Sequence, residues 1–501
     1  MIFYTFSGIF ITKIIVILYF VTNPLRMRNT KLVRYLKSLT DEEIIELGKY
    51  FTHTKTNPTL VSLYNYVIRF HPEYDIPDEQ QTAKKIKDTK DNKLTVKQLQ
   101  TNASKLAGLI EDFFIQKEMM SDATQQKKLL IQALAQRGLY AEFEQETAKL
   151  LQYTEGVPAP SPEIFLLSFE LQQALFFHPN TDKAQLHISL DQALDNLDKA
   201  YLLYKLRLTT DIMSRGNFFK SAEDPYSIEY LNQFLNSLPE PVFQILALTL
   251  QLLSAPEQKE LFQQLKSVFQ DNLLSLSTID KSIIANKLMN YANQTYERGH
   301  TEYLRQLFDI YQLAHEHDFL LHNRHISYIT FINVAAVAAG VGEYAWGKAF
   351  IKNYAHYLEE EVKPNSIHIA QAFIQLFQGK YGEALKQLNQ VNEFHIPTKL
   401  QADALYIRAL YEMLSNDSTY FDPLASKLES FQKFILRSKL LQQTRKTAFH
   451  NFITAVRKMM NYYNDYKYKS LDRTKLITGI ENLKPLYGNR WISAKLQELP
   501  E

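Results

Sequence analysis

Four glycines followed closely by an aromatic or polar turn residue divide the chain into pairs of amphipathic segments: Arg137-Gly138-Leu139-Tyr140, Arg298-Gly299-His300-Thr301, Gly342-Glu343-Tyr344 and Gly379-Lys380-Tyr381. Each falls where a helical pattern stops and another begins, which is where a left-handed residue is needed to end one helix and turn into the next. Such spacing constrains the chain to stacked helical hairpins, because a hairpin buries its apolar stripe only against its neighbours. Gly342 and Gly379 stand about 37 residues apart, and the same step reaches the turn-forming cluster Ser415-Asn416-Asp417.

Composition agrees with an all-α fold. Only 14 Gly and 17 Pro occur in 501 residues, which suits long helices with short turns. An array grows without a single centre, so this length does not require several independent cores. With 56 basic and 54 acidic residues the formal charge is +2, which speaks against a surface coated for nucleic acid or membrane throughout. The absence of cysteine excludes disulfides, thiolate metal sites, iron–sulfur clusters and thiol nucleophiles.

Four regions follow along the chain. Residues 1–26 are strongly apolar, but Lys13 shortens the clean run to Ile14–Val21, below the roughly 20 residues that span a bilayer. Three readings stay open: a mis-assigned start with Met27 as the true one, a single-pass anchor formed by residues 1–21, or a buried helix. Arg26, Arg28, Lys31, Arg34 and Lys37 follow, so an anchor would leave the body in the cytoplasm, the compartment expected in any case.

Residues 27–120 read as a helical N-terminal region. Thr40 stands before acidic first-turn residues, and Leu99, Ala103, Leu106, Ile110 and Phe113 recur at helical spacing. Residues 121–437 carry the repeats. Leu288, Tyr291 and Ala292 precede Gly299 at the offsets at which Phe331, Val334 and Ala335 precede Gly342. The small residues Ala292, Ala335 and Ala372 permit close helix approach. Asp191–Thr209 and Pro241–Phe269 read as long helical segments without clean glycine marks, which leaves the register of 156–280 open. Residues 438–501 form a basic helical cap containing Trp491.

These units resemble degenerate tetratricopeptide repeats, on the small residue, the turn glycine, Tyr344 or Tyr381, and Ala384 within Tyr381-Gly382-Glu383-Ala384-Leu385. Lys31–Phe51, Leu99–Phe114 and Arg490-Trp491-Ile492-Ser493-Ala494-Lys495-Leu496 are also similar to an uncharacterised bacterial family of helical-repeat proteins, a likeness that implies no activity. The tetratricopeptide resemblance implies a right-handed superhelical array, an α-solenoid, whose concave groove holds an extended peptide or a partner helix. Offsets from the glycines put Asn290, Asn293, Tyr296 and Asn333 on that side, and amides offer both donors and acceptors to a peptide backbone. The family's carboxylate-gripping pattern is not complete, since its companion cations are replaced by Met289, Ser366 and Ala370. The competing assignment has the asparagines capping, bridging helices or facing water.

A second function class rests on residues 432–475, which are net basic by nine with interleaved aromatics. Arg445, Lys446, Arg457 and Lys458 are its candidate phosphate contacts, with aromatics to stack bases. Against it, Leu436, Leu440, Phe449, Phe452, Ile453 and Val456 recur at near-helical spacing, which would make the aromatics core. No catalytic constellation is evident. His315-Glu316-His317-Asp318, with His322 and His325, lacks metal-site spacing and reads as a polar turn. Gly340-Val341-Gly342 lacks the lysine of a phosphate loop, and no nucleophile elbow occurs. The expectation is therefore a non-catalytic scaffold without cofactor or metal, binding an unidentified protein or peptide.

Overall fold

A computed structural model describes residues 30–178, 187–216, 238–322, 324–392, 396–438, 441–465 and 472–500. The apolar segment 1–26 lies outside them. The described residues are helical, with two isolated bridges and no strand. None of their helices is long and apolar enough to cross a membrane. Contacts divide the chain into two units, 1–152 and 153–501. The division falls inside the region assigned above to repeats rather than at 120/121.

Unit 1 contains α1 (Lys31–Lys37), α2 (Asp41–His53), α3 (Pro58–Val67), α4 (Glu79–Ala83), α5 (Val96–Ser121) and α6 (Ala123–Gln136), with most of α7 (Tyr140–Glu155). The expected start of α2 is a full capping box: Glu43 N donates to Thr40 Oγ1 at 3.2 Å and Thr40 N to the Glu43 carboxylate at 2.9 Å. Pro58 opens α3, where its missing amide costs nothing. Leu99, Ala103, Leu106, Ile110 and Phe113 are buried along α5, as their spacing predicts, in one core with Leu36, Leu63 and Tyr74. The lysine-rich link is a loop in which Lys87 pairs with Asp91.

Unit 2 opens with α8 (Pro162–Phe176) and α9 (His187–Gly216) and continues with α10 (Pro241–Ser254) and α11 (Lys259–Asp271). The single segment expected over Pro241–Phe269 is thus two helices. Pro256 supplies no amide and pushes Ala255 out of the helical region, to φ −127° and ψ 64°.

Regular hairpins follow: α12 (Thr278–Glu297) with α13 (Tyr303–Glu316), α14 (Tyr328–Gly340) with α15 (Tyr344–Tyr354), α16 (Lys363–Phe377) with α17 (Tyr381–Leu388), and α18 (Ile396–Leu414) with α19 (Phe421–Arg437). The long α20 (Gln443–Asp465) and the short α21 (Arg473–Glu481) and α22 (Asn489–Gln497) complete the chain. Ala292, Ala335 and Ala372 are fully buried at the helix contacts. One apolar core runs from Phe165 to Ala409 and a second from Leu400 to Leu499, with Leu385 and Tyr406 packed against both. The C-terminal cap therefore shares its core with the last hairpin.

The glycine turns are one device used four times. Gly138, Gly299, Gly342 and Gly379 have φ of 69°, 110°, 84° and 72°. In each, the next residue donates its amide to a carbonyl five positions back: Leu139 to Leu134, His300 to Thr295, Glu343 to Ala338 and Lys380 to Gln375, at 2.9–3.3 Å. This is the Schellman closure of a helix end. A Cβ on Gly379 would meet nothing within 4 Å, so backbone conformation alone requires glycine there. Gly379→Ala is accordingly expected to cost about 1–2 kcal/mol, with Gly379→Asn milder, as read by urea unfolding.

Candidate functional site

The first helix of the α12/α13 hairpin carries Asn286, Asn290, Asn293 and Glu297 at successive helical steps, and all four are exposed. The opposite stripe of α12, with Ile284, Leu288, Tyr291 and Ala292, is buried. Asn333 is exposed on α14, one turn beyond the exposed Ile329. The side chains of Asn290, Asn293 and Asn333 make no hydrogen bond to any described residue. They face solvent rather than cap or bridge helices, and their amides remain available. The positions lacking the family's cations, Met289, Ser366 and Ala370, are all buried.

A groove of about 550 Å³ lies between the N-terminal halves of α12 and α14 and reaches this stripe at Asn286, while Asn290, Asn293, Tyr296 and Asn333 do not line it. Ile279, Ile283 and Met289 line one wall, Leu320 and Leu321 contribute from the α13–α14 loop, and Asn286, Ser282 and Thr330 add polar groups. Ile279 is 50% and Ile329 52% exposed, which leaves apolar area on both helices open to a partner.

Tyr296 parts from the asparagines. Its ring lies under the Arg490 guanidinium of α22, 3.5 Å from carbon to centroid, and its carbonyl accepts from Arg490 at 3.2 Å. That carbonyl belongs to the C-terminal end of α12, where a cation is favoured. The residue expected to be open in the groove is thus half-covered by a helix 194 positions away.

Around this contact the C-terminal helix assembles a polar and aromatic cluster that the sequence reading did not anticipate. Trp491 Nε1 donates to Glu412 at 2.9 Å, and Lys495 pairs with the other Glu412 oxygen at 2.8 Å. The Arg408 guanidinium lies 5.4 Å from the Trp491 ring and 5.8 Å from that of Phe377. Its Nε is shielded from water and has no hydrogen-bond partner, and burial lowers its pKa. Glu297 lies near both Arg408 and Arg490 without forming an ion pair. Partial desolvation by the surrounding side chains raises its carboxyl pKa above the ordinary value although both arginines oppose the shift. A signal for this cluster was available: Arg408 is a lone cation within the apolar run Ala404-Leu405-Tyr406-Ile407-Arg408-Ala409-Leu410-Tyr411.

The basic segment covers the end of α19, the whole of α20 and the start of α21, and α20 has a wet side. Phe449, Phe452 and Tyr462 are buried, and Phe449 stacks on Tyr487 with centroids 4.3 Å apart. These rings are therefore unavailable to bases. Arg445 and Lys458 are exposed, Lys446 is half-buried, and Arg457 donates to Gln432 at 3.0 Å. Lys439, Tyr466, Lys467, Tyr468 and Lys469 lie outside the described residues.

The histidine run covers the last residues of α13 and the loop that follows. His315 Nδ1 bonds the Tyr354 hydroxyl at 2.8 Å, and His322 and His325 pair through their backbones. Among the described residues no three His, Cys, Asp or Glu side chains converge as metal ligands. No protein-family model, no curated protein and no solved structure matches the chain.

Proposed function

We propose that the chain is a non-catalytic interaction scaffold: a right-handed, tetratricopeptide-like superhelix whose first helices form a concave face that holds an extended peptide or partner helix. The observation that carries this reading is the run of exposed asparagines on α12, whose Asn286 lines an open, partly apolar groove, with Asn333 exposed on α14. Apolar walls supply affinity, and amides with free donors and acceptors can register a peptide backbone. Nucleic-acid binding through residues 432–475 is the weaker alternative, because Phe449, Phe452 and Tyr462 are spent in the core.

Two variants separate binding from folding. Asn293→Ala with Asn333→Ala should weaken partner capture while changing stability by no more than about 0.5 kcal/mol, because both side chains are exposed. Ala335→Leu should cost about 1–3 kcal/mol, because Ala335 is fully buried between helices. Capture assays alongside urea unfolding read both. Full binding by the double variant, or its unfolding like the Ala335 variant, would make the asparagines structural and reject this site.

A further inference from the structure

Arg408 and Arg490 are two guanidiniums that no carboxylate neutralises by an ion pair among the described residues. Glu412 is the nearest acceptor on the same helix as Arg408, but its oxygens are taken by Trp491 and Lys495. Arg490 spends one NH group on the Tyr296 carbonyl, which leaves the rest of its fork without a partner among the described residues. Arg408 has no hydrogen bond to any described residue, and its Nε is shut off from water. A buried donor without an acceptor is costly, more so when charged. The cluster is nevertheless reachable, since Arg408 and Arg490 are only partly buried and Glu297 is exposed.

We propose that Arg408 and Arg490 receive a side-chain oxyanion of the bound partner, so that the peptide held by unit 2 is acidic. The inference rests on the scaffold reading and specifies its partner. A guanidinium offers paired N–H groups matched to the two oxygens of a carboxylate or to those of a phosphoryl group. Arg490 is stacked on Tyr296 and Arg408 lies within cation–π range of Trp491 and Phe377, so both forks have ring partners before the ligand arrives, which reduces the ordering cost of binding. Glu297 competes with the ligand: its charge opposes a second anion beside the same arginines.

The test uses the full chain and isothermal titration with acetylated, amidated hexaglutamate, with O-phosphoserine and with inorganic phosphate. Saturable binding of hexaglutamate alone assigns a carboxylate, and binding of the phosphoryl probes assigns a phosphate ester; either supports the site. Arg408→Gln and Arg490→Gln should each weaken binding roughly tenfold, and Glu297→Gln should tighten it about threefold. Arg305→Gln should leave it unchanged, since Arg305 already pairs with Asp309 and Glu343. Circular-dichroism melts establish that each variant is folded, and Arg490→Gln carries the test if Arg408→Gln is not. Non-saturable titrations, binding indifferent to both arginine variants, or loosening by Glu297→Gln would overturn the proposal, the last by making Glu297 their counter-ion. Loss of partner capture in the Asn293/Asn333 variant with no anion binding leaves the scaffold standing and rejects only the acidic partner.

Discussion

Arg207→Leu is expected to lower the unfolding free energy of unit 2 by about 3–5 kcal/mol. The Arg207 side chain of α9 meets Asp280 of α12 through two bonds, Nε to Oδ1 at 2.7 Å and an NH group to Oδ2 at 2.8 Å. Asp280 is fully buried and its side chain is also bonded by Ser277 at 2.5 Å. Removing the cation leaves a buried carboxylate with one hydroxyl donor, and that uncompensated charge is the source of the cost. The double variant Arg207→Leu/Asp280→Leu should recover most of the loss, because the pair's own net contribution is small once its desolvation is counted. Both tryptophans, Trp346 and Trp491, belong to unit 2, so their fluorescence during urea titration follows this unit alone. A double variant as unstable as the single would show that packing, not unpaired charge, sets the cost.

The other large effect is expected at Phe262. Its ring is fully buried on α11, stacked on Tyr291 at 5.0 Å and tilted against Tyr303 at 5.2 Å, so it joins α11 to both helices of the next hairpin. Phe262→Ala should cost about 3–5 kcal/mol, the lost apolar burial together with the cavity left behind. Phe262→Leu should cost less than half of that, because most of the volume is retained. Equal losses for the two would point to aromatic geometry rather than volume as the source.

The local features were legible in the sequence, and the distant ones were not. A Schellman turn needs a residue at positive φ, so Gly138, Gly299, Gly342 and Gly379 mark their helix ends without reference to the rest of the chain. The same holds for the Thr40 capping box and the apolar period of α5. The break at Ala255 was equally local, marked by Pro256 and the polar run Glu257-Gln258-Lys259-Glu260. Tyr296 illustrates the other class. Its place on α12 follows from its offset to Gly299, whereas its cover by Arg490 comes from a cap folding back over many helices. No periodicity encodes such a contact. The exposure of Asn290 and Asn293 follows from the buried stripe opposite them on α12.

The partner-holding face is tested most directly by site-specific photocrosslinking in native cells. A benzoylphenylalanine is placed singly at Asn293 or Asn333 on the first helices, or at Lys386 or Lys433 on the second helices α17 and α19. The account predicts one discrete adduct shared by the Asn293 and Asn333 positions, absent from the Lys386 and Lys433 positions. Adducts from the second helices alone, or equally from all four positions, would contradict it.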